Sequence, residues 1–294
     1  MLIGILNLKT LLRLSRPLHL LLAALTYSLG AGIANYLGKP FRADSFWLGL
    51  GGILFAQMSM GLLSEVFRLD AEPLTENETR RARSLVRNNA LYVSIACLTA
   101  NGVIAFILFN NQHLSPASFS FLLVSLVFIL AYSLPPFRNR GFGEFLLAAH
   151  LAYVIPSLAY LLQADETHRF LTLSIPLTLL AFAYFIIMDF PAFASDRKFN
   201  RTTFLTRLGW ERVVPLHHIF VLLAYIFFAI SPAFGLSLSL IWPAFLTLPF
   251  ALFQIYQLHN ISLGAPTNWI LLTATALSVF GLTAYFVTLT FWLR

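Results

Sequence analysis

Residues 184–209 read YFIIMDFPAFASDRKFNRTTFLTRLG. The stretch opens at membrane-grade hydrophobicity, then meets two aspartates, Asp189 and Asp196, and four cations, Arg197, Lys198, Arg201 and Arg207. What surrounds it decides what those charges do. Across the 294 residues, 59% are hydrophobic and only 11% are charged. A soluble domain carries roughly 25% charged residues, so this chain has too few to cover a water-facing surface. The apolar residues come in blocks of about 20, the length that crosses a bilayer as a helix. The blocks are apolar all round, which excludes the alternating pattern of a membrane β-barrel. The fold class is all-α: a polytopic membrane protein.

Nine spans are predicted, at about 17–37, 45–69, 89–110, 117–135, 142–163, 170–190, 212–232, 236–258 and 268–292. The links are short, such as YLGKPFRAD and NNQHLSP, and no soluble domain interrupts them. Residues 1–294 therefore read as a single transmembrane domain. Residues 1–16, with Lys9, Arg13 and Arg16 among leucines, form an interfacial amphipathic segment before Pro17. The single cysteine, Cys97, lies in an apolar block and reads as a small packed hydrophobe.

Lys and Arg are distributed unequally. The N-terminal segment and the loops after the second, fourth and sixth spans hold 15 of the 19, and the opposite side holds Lys39, Arg42, Arg169 and Arg294. This bias places the N-terminus and those loops in the cytoplasm, with the chain in a bacterial or archaeal cytoplasmic membrane. It also accounts for most of the +7 net charge without a nucleic-acid partner.

Nine of the 12 acids fall on that same side, clustered at the ends of the second and sixth spans. Carboxylates at the mouth of a helical bundle, followed by arginines, suit a metal–diphosphate complex. Mg²⁺ takes oxygen ligands and bridges one or two carboxylates to substrate phosphates. Guanidinium forks neutralise the remaining phosphate charge. A transporter would instead place ionisable or broken-helix features at mid-membrane. The nearest such residues are Glu144 and His150, and His150 reads as a hydrogen-bonded packing histidine. His217 and His218 read as packing or interfacial residues.

Three stretches resemble the UbiA superfamily of intramembrane prenyltransferases. DFPAFASDRKFNRTTFLTRLG is similar to the family's second aspartate motif and its tail. YSLPPFRNRGFGEFLLA resembles the segment after the fourth helix, and LRLSRPLHLLLAALTYSLGAG the Arg-Pro entry to the first. The likeness spans nearly the whole chain and is closest in flavour to the 1,4-dihydroxy-2-naphthoate prenyltransferases. It implies Mg²⁺-dependent transfer of a prenyl group from an isoprenyl diphosphate to a lipophilic, aromatic acceptor in quinone or related biosynthesis.

The chain departs from the family pattern at two places. Ala192 stands where the second motif has its leading Asp, and Arg68 where the first motif has its central one. Carried over residue by residue, the resemblance assigns Glu65, Glu72, Asp189 and Asp196 to Mg²⁺. It places Arg68, Arg80, Arg81, Arg138, Lys198 and Arg201 against the diphosphate. Asp189, Asp196 and Tyr132 then sit at the reacting centre. The alternative is a degenerate member of the same fold that binds a prenyl lipid or quinone, or partners another membrane enzyme.

Overall fold

The computed structural model describes residues 8–68, 79–135 and 140–294, with side chains from Thr10 onward. Glu72 and Arg138, both assigned above to the site, lie outside the described residues, as do residues 1–7 of the amphipathic segment. Among the described residues all regular structure is helical. A short helix, α1 (Leu8–Leu14), precedes nine helices long and apolar enough to cross a membrane. These are α2 (Pro17–Tyr36), α3 (Ala43–Val66), α4 (Arg80–Asn110), α5 (Pro116–Ser133) and α6 (Gly143–Gln163). They continue as α7 (Arg169–Lys198), α8 (Trp210–Phe234), α9 (Leu238–Ser262) and α10 (Trp269–Leu293).

The termini of these helices follow local chemistry. Proline begins α2 and α5, where its missing N–H costs nothing. Ser115 caps α5 and Thr79 caps α4, each side-chain oxygen accepting a backbone N–H three residues on. The Thr79 cap starts α4 about nine residues before the apolar block that predicts it, so its first turns carry Arg80, Arg81, Arg83 and Arg87. At the end of α7, Pro191 cannot donate to the helical ladder. The backbone passes through a 3₁₀ turn at Phe190–Ala192 and resumes as helix through Lys198.

Burial differs strongly from helix to helix. Buried residues make up 83% of the apolar window of α6 and 72% of that of α7, against 17% for α4. The first two helices form the centre and α4 the periphery, where Tyr92, Ile95, Val103, Phe106 and Phe109 face outward. Polar side chains sit inside, in contact with one another. Ser125 bonds His150 Nε2 at 2.8 Å, and His150 Nδ1 bonds Gln57 Oε1 at 3.2 Å. This chain joins α5, α6 and α3 and satisfies groups that hydrocarbon cannot.

Without a hydrophobic drive between helices, close approach depends on small residues. A Cβ at Gly30 would lie 2.0 Å from the Pro156 carbonyl oxygen, so α2 meets α6 backbone to backbone only because residue 30 is glycine. The bundle closes end to end where Trp292 Nε1 of α10 donates to the Ser28 carbonyl of α2 at 3.0 Å.

Candidate active site

The start of α2, the ends of α3, α5 and α7, and the start of α6 come together at one end of the bundle. A cavity of about 350 Å³ opens between them. Leu147, Phe185 and Met188 supply its apolar surface, and His19 stands edge-on to Phe185 at 5.2 Å between ring centres. Arg16, Tyr132, Glu144, Asp189 and Arg201 supply its charged and polar groups.

One wall is cationic. Arg16 adopts a left-handed backbone, φ 55°, immediately before Pro17. Its guanidinium donates to the Tyr132 hydroxyl oxygen and lies 3.2 Å from Glu65 Oε1. Glu65 Oε2 lies 3.0 Å from Arg68 Nε. The Arg68 carbonyl in turn accepts from the Arg87 guanidinium of α4. Burial works against the charge of Arg16, but Tyr132 and Glu65 more than offset it, and its pKa lies above the ordinary arginine value. Arg16 stays a cation. The buried Glu65 carboxylate thus sits between two guanidiniums.

A second part of the lining is acidic. The Asp189 carboxyl abuts that of Glu144, with Arg201 and Asp196 the next charges around it. Glu144 Oε1 accepts from the Phe204 N–H at 3.2 Å, and the buried Glu144 and Asp189 carboxyls are hydrogen-bonded to each other. Arg201 Nη1 lies 3.5 Å from Asp196 Oδ1. Ala192 lines the cavity one turn from Asp189.

The loop after α7 is fixed by its own chemistry. Thr203 and Thr206 form a reciprocal cap, and Thr206 Oγ1 donates to the Arg201 carbonyl at 3.0 Å. Gly141 docks the start of α6 on this loop. Its φ is +70°, and a Cβ there would lie 3.0 Å from the Thr203 carbonyl oxygen. Arg207 ties the two segments by donating to the Arg140 carbonyl at 2.8 Å and lying over the Phe142 ring.

Of the residues singled out in the sequence, Tyr132, Asp189 and Arg201 line the cavity. Glu65, Arg68 and Asp196 stand behind it within the ion-pair networks. Arg80, Arg81 and Lys198 are exposed and outside its lining. Among the described residues no three acidic, histidine or cysteine side chains converge as a metal cluster. Two contributors were not assigned from sequence, Arg16 and Glu144. Each is a charge in the first turn of an apolar helix, next to Pro17 and Gly143, and that placement was the available signal.

The fold is shared with solved structures. A UbiA homologue from Archaeoglobus fulgidus bound to GPP and Mg²⁺ matches with a TM-score of 0.69 at 16% identity, over 97% of this chain and 100% of that one. A second, from the same organism and bound to DMAPP and Mg²⁺, matches at 0.62 and 17% identity, over 94% and 97%. An apo UbiA homologue from Aeropyrum pernix K1 matches at 0.60 and 16% identity, over 88% and 96%. No curated protein matches the chain. At these identities the structures speak for the fold alone. The family model described as the UbiA prenyltransferase family matches residues 21–271, and on that match the chain belongs to the UbiA prenyltransferase family.

Proposed function

We propose that this protein transfers a prenyl group from an isoprenyl diphosphate, bound with Mg²⁺ in the cavity between α2 and α7, to a lipophilic aromatic acceptor of quinone type. The observation that carries the reading is the lining of the cavity. The hydrogen-bonded Glu144 and Asp189 carboxyls and the Arg16 guanidinium line the same cavity beside an apolar surface. Two adjoining carboxyls suit a hard, oxygen-seeking cation, and Mg²⁺ bound to diphosphate needs only one or two protein carboxylates. Glu144 and Asp189 would hold it, with Asp196 behind them setting the position of Arg201. When bound, the metal neutralises charge developing on the leaving diphosphate.

The chain's own residues do the rest. Arg16 and Arg201 take non-bridging diphosphate oxygens. Arg80, Arg81 and Lys198, exposed in the segments that flank this end of the bundle, form a basic approach to it. Leu147, Phe185 and Met188 exclude water while the prenyl carbon is electron-poor. Tyr132, its oxygen held by Arg16, presents its ring beside that carbon. The excess of Lys and Arg in the flanking loops supports a cytoplasmic mouth. The aromatic acceptor rests on the likeness of the three stretches, taken together, to the 1,4-dihydroxy-2-naphthoate prenyltransferases.

A second reading has its own observation: Glu65 is tied to two arginines and Ala192 offers no ligand, as in a member that keeps the fold and binds a prenyl lipid without turnover. The test is product formation. Purified protein in nanodiscs is given Mg²⁺, geranylgeranyl diphosphate and a panel of hydroxylated naphthoates and benzoates, and products are read by mass spectrometry. Prenylated product that disappears in Asp189→Asn supports transfer. Tight binding with no product from any acceptor supports the second reading.

A further inference from the structure

We propose that His19 is the residue that recognises the acceptor: its Nε2–H donates a hydrogen bond to a ring oxygen of a hydroxylated aromatic and so selects acceptors that carry one. The inference rests on the prenyl-transfer reading and names the acceptor chemistry of that same cavity.

Beside its charged groups, the cavity is lined by a few other polar side chains, and most are engaged. Ser64 Oγ donates back to the Gly61 carbonyl at 2.7 Å, the Tyr132 hydroxyl accepts from Arg16, and Thr203 is held in its reciprocal cap with Thr206. Thr202 is exposed in the loop after α7. His19 differs from all of these. Its Nδ1 is buried without a hydrogen-bond partner among the described residues. Its Nε2 has none among them either and is not buried, so it is the nitrogen that opens on the cavity. A buried N–H without an acceptor is rarer in proteins than an acceptor without a donor. That assigns the bare lone pair to Nδ1 and the proton to Nε2, which makes His19 a donor into the cavity.

The place of His19 on α2 suits an acceptor better than a diphosphate. Its backbone N–H donates to the Arg16 carbonyl at 2.8 Å, so the imidazole lies one helical turn beyond the arginine that begins α2. The ring stands edge-on to Phe185 at 5.2 Å, a contact that holds its plane. His19 therefore marks the boundary between the charged groups of the cavity and its apolar surface. A molecule that is apolar except for a ring oxygen meets both halves of its chemistry there. A site built to hydrogen-bond a hydroxyl rejects the analogue lacking it, because the polar group of the protein is then left unpaired.

The test changes the protein and the acceptor together and reads binding, not turnover. The full chain in nanodiscs is loaded with Mg²⁺ and geranyl S-thiolodiphosphate, an unreactive probe. Anaerobic equilibrium dialysis then gives its affinity for 1,4-dihydroxy-2-naphthoate and for 2-naphthoate, which lacks both hydroxyls. The hydroxylated probe is expected to bind the unaltered protein about tenfold more tightly, the scale of one hydrogen bond. In His19→Leu that preference should shrink to within about twofold, with affinity for the thiolodiphosphate unchanged to about twofold. His19→Gln, whose amide N–H reaches the place of Nε2, should restore most of the preference, which a purely packing role for the ring would not do. A preference that survives in His19→Leu would overturn the inference. So would a His19→Leu variant that loses the thiolodiphosphate and the naphthoates by the same factor. Equal binding of the two naphthoates to the unaltered protein, or binding of neither, would also overturn it while leaving the prenyl-diphosphate reading standing. A chain that does not bind the thiolodiphosphate would overturn both together.

Discussion

Arg16→Met removes the guanidinium that bridges α2 to α3 and α5, and its cost can be worked from the ion pair. Arg16 Nη2 stands 3.2 Å from Glu65 Oε1, and the side chains are 25% and 5% exposed. Two unit charges about 4 Å apart attract by about 4 kcal/mol at the effective dielectric of roughly 20 that suits such sites. Partial exposure of Arg16 to solvent screens this to a coupling of about 2 kcal/mol. Arg68 remains 3.0 Å from the same carboxylate, so Glu65 is not left as a bare buried charge. The single substitution is therefore expected to cost about 2–3 kcal/mol, short of the upper range for breaking a buried pair. The assay is a double-mutant cycle with Glu65→Gln, followed by reversible unfolding in mixed micelles. The account expects the double variant to be less destabilised than the sum of the singles by about 2 kcal/mol. Additivity to within about 0.5 kcal/mol would refute the claim that these two residues hold each other.

Other outcomes follow from the packing and the polar interior. Gly30→Leu is expected to abolish recovery of monodisperse protein by size exclusion, because any Cβ there overlaps the Pro156 carbonyl. Gly102→Leu, on α4 with nothing within 4 Å of its Cβ position, should leave the elution profile unchanged. His150→Phe strands Gln57 and Ser125 in the bundle interior and should lower unfolding stability by about 1–3 kcal/mol. Combining it with Gln57→Leu and Ser125→Ala should recover part of that loss. In a Cys97→Ala background, Ser84→Cys should react with a membrane-impermeant maleimide only in inside-out vesicles, and Glu166→Cys only in right-side-out ones. The reverse pattern would overturn the cytoplasmic placement of the cavity mouth.

The spans were legible because hydrocarbon imposes a length and an all-round apolarity that few soluble helices share. What was less legible is where helices run past the apolar block. The first turns of α4 are arginine-rich and carry no hydropathy signal, yet Thr79 caps them into one continuous helix. The proline at 191 marks the end of an ordinary helix, but a 3₁₀ turn carries α7 through it to Lys198. The site divides along a similar line. Asp189, Tyr132 and Arg201 stand out as polar groups at the ends of apolar helices, and all three line the cavity. The partners that give the cavity its polarity are far apart in sequence. Arg16 reaches Glu65 across 49 residues and Tyr132 across 116, and Glu144 reaches Phe204 across 60. A carboxylate next to an arginine three residues on reads equally well as a ligand or as half of an ion pair. For Glu65 the deciding contact comes from the start of a different helix.

The central claim is that the cavity holds an isoprenyl diphosphate through a metal on Asp189. The direct measurement is equilibrium binding of radiolabelled geranylgeranyl diphosphate to the protein in nanodiscs, with Mg²⁺ and with excess chelator, in the unaltered chain and in Asp189→Asn. The account predicts binding that falls at least tenfold on chelation and falls equally in the variant, with no further loss when both are combined. Binding indifferent to chelator and to Asp189→Asn would contradict it, because the prenyl chain would then be held by the apolar surface alone.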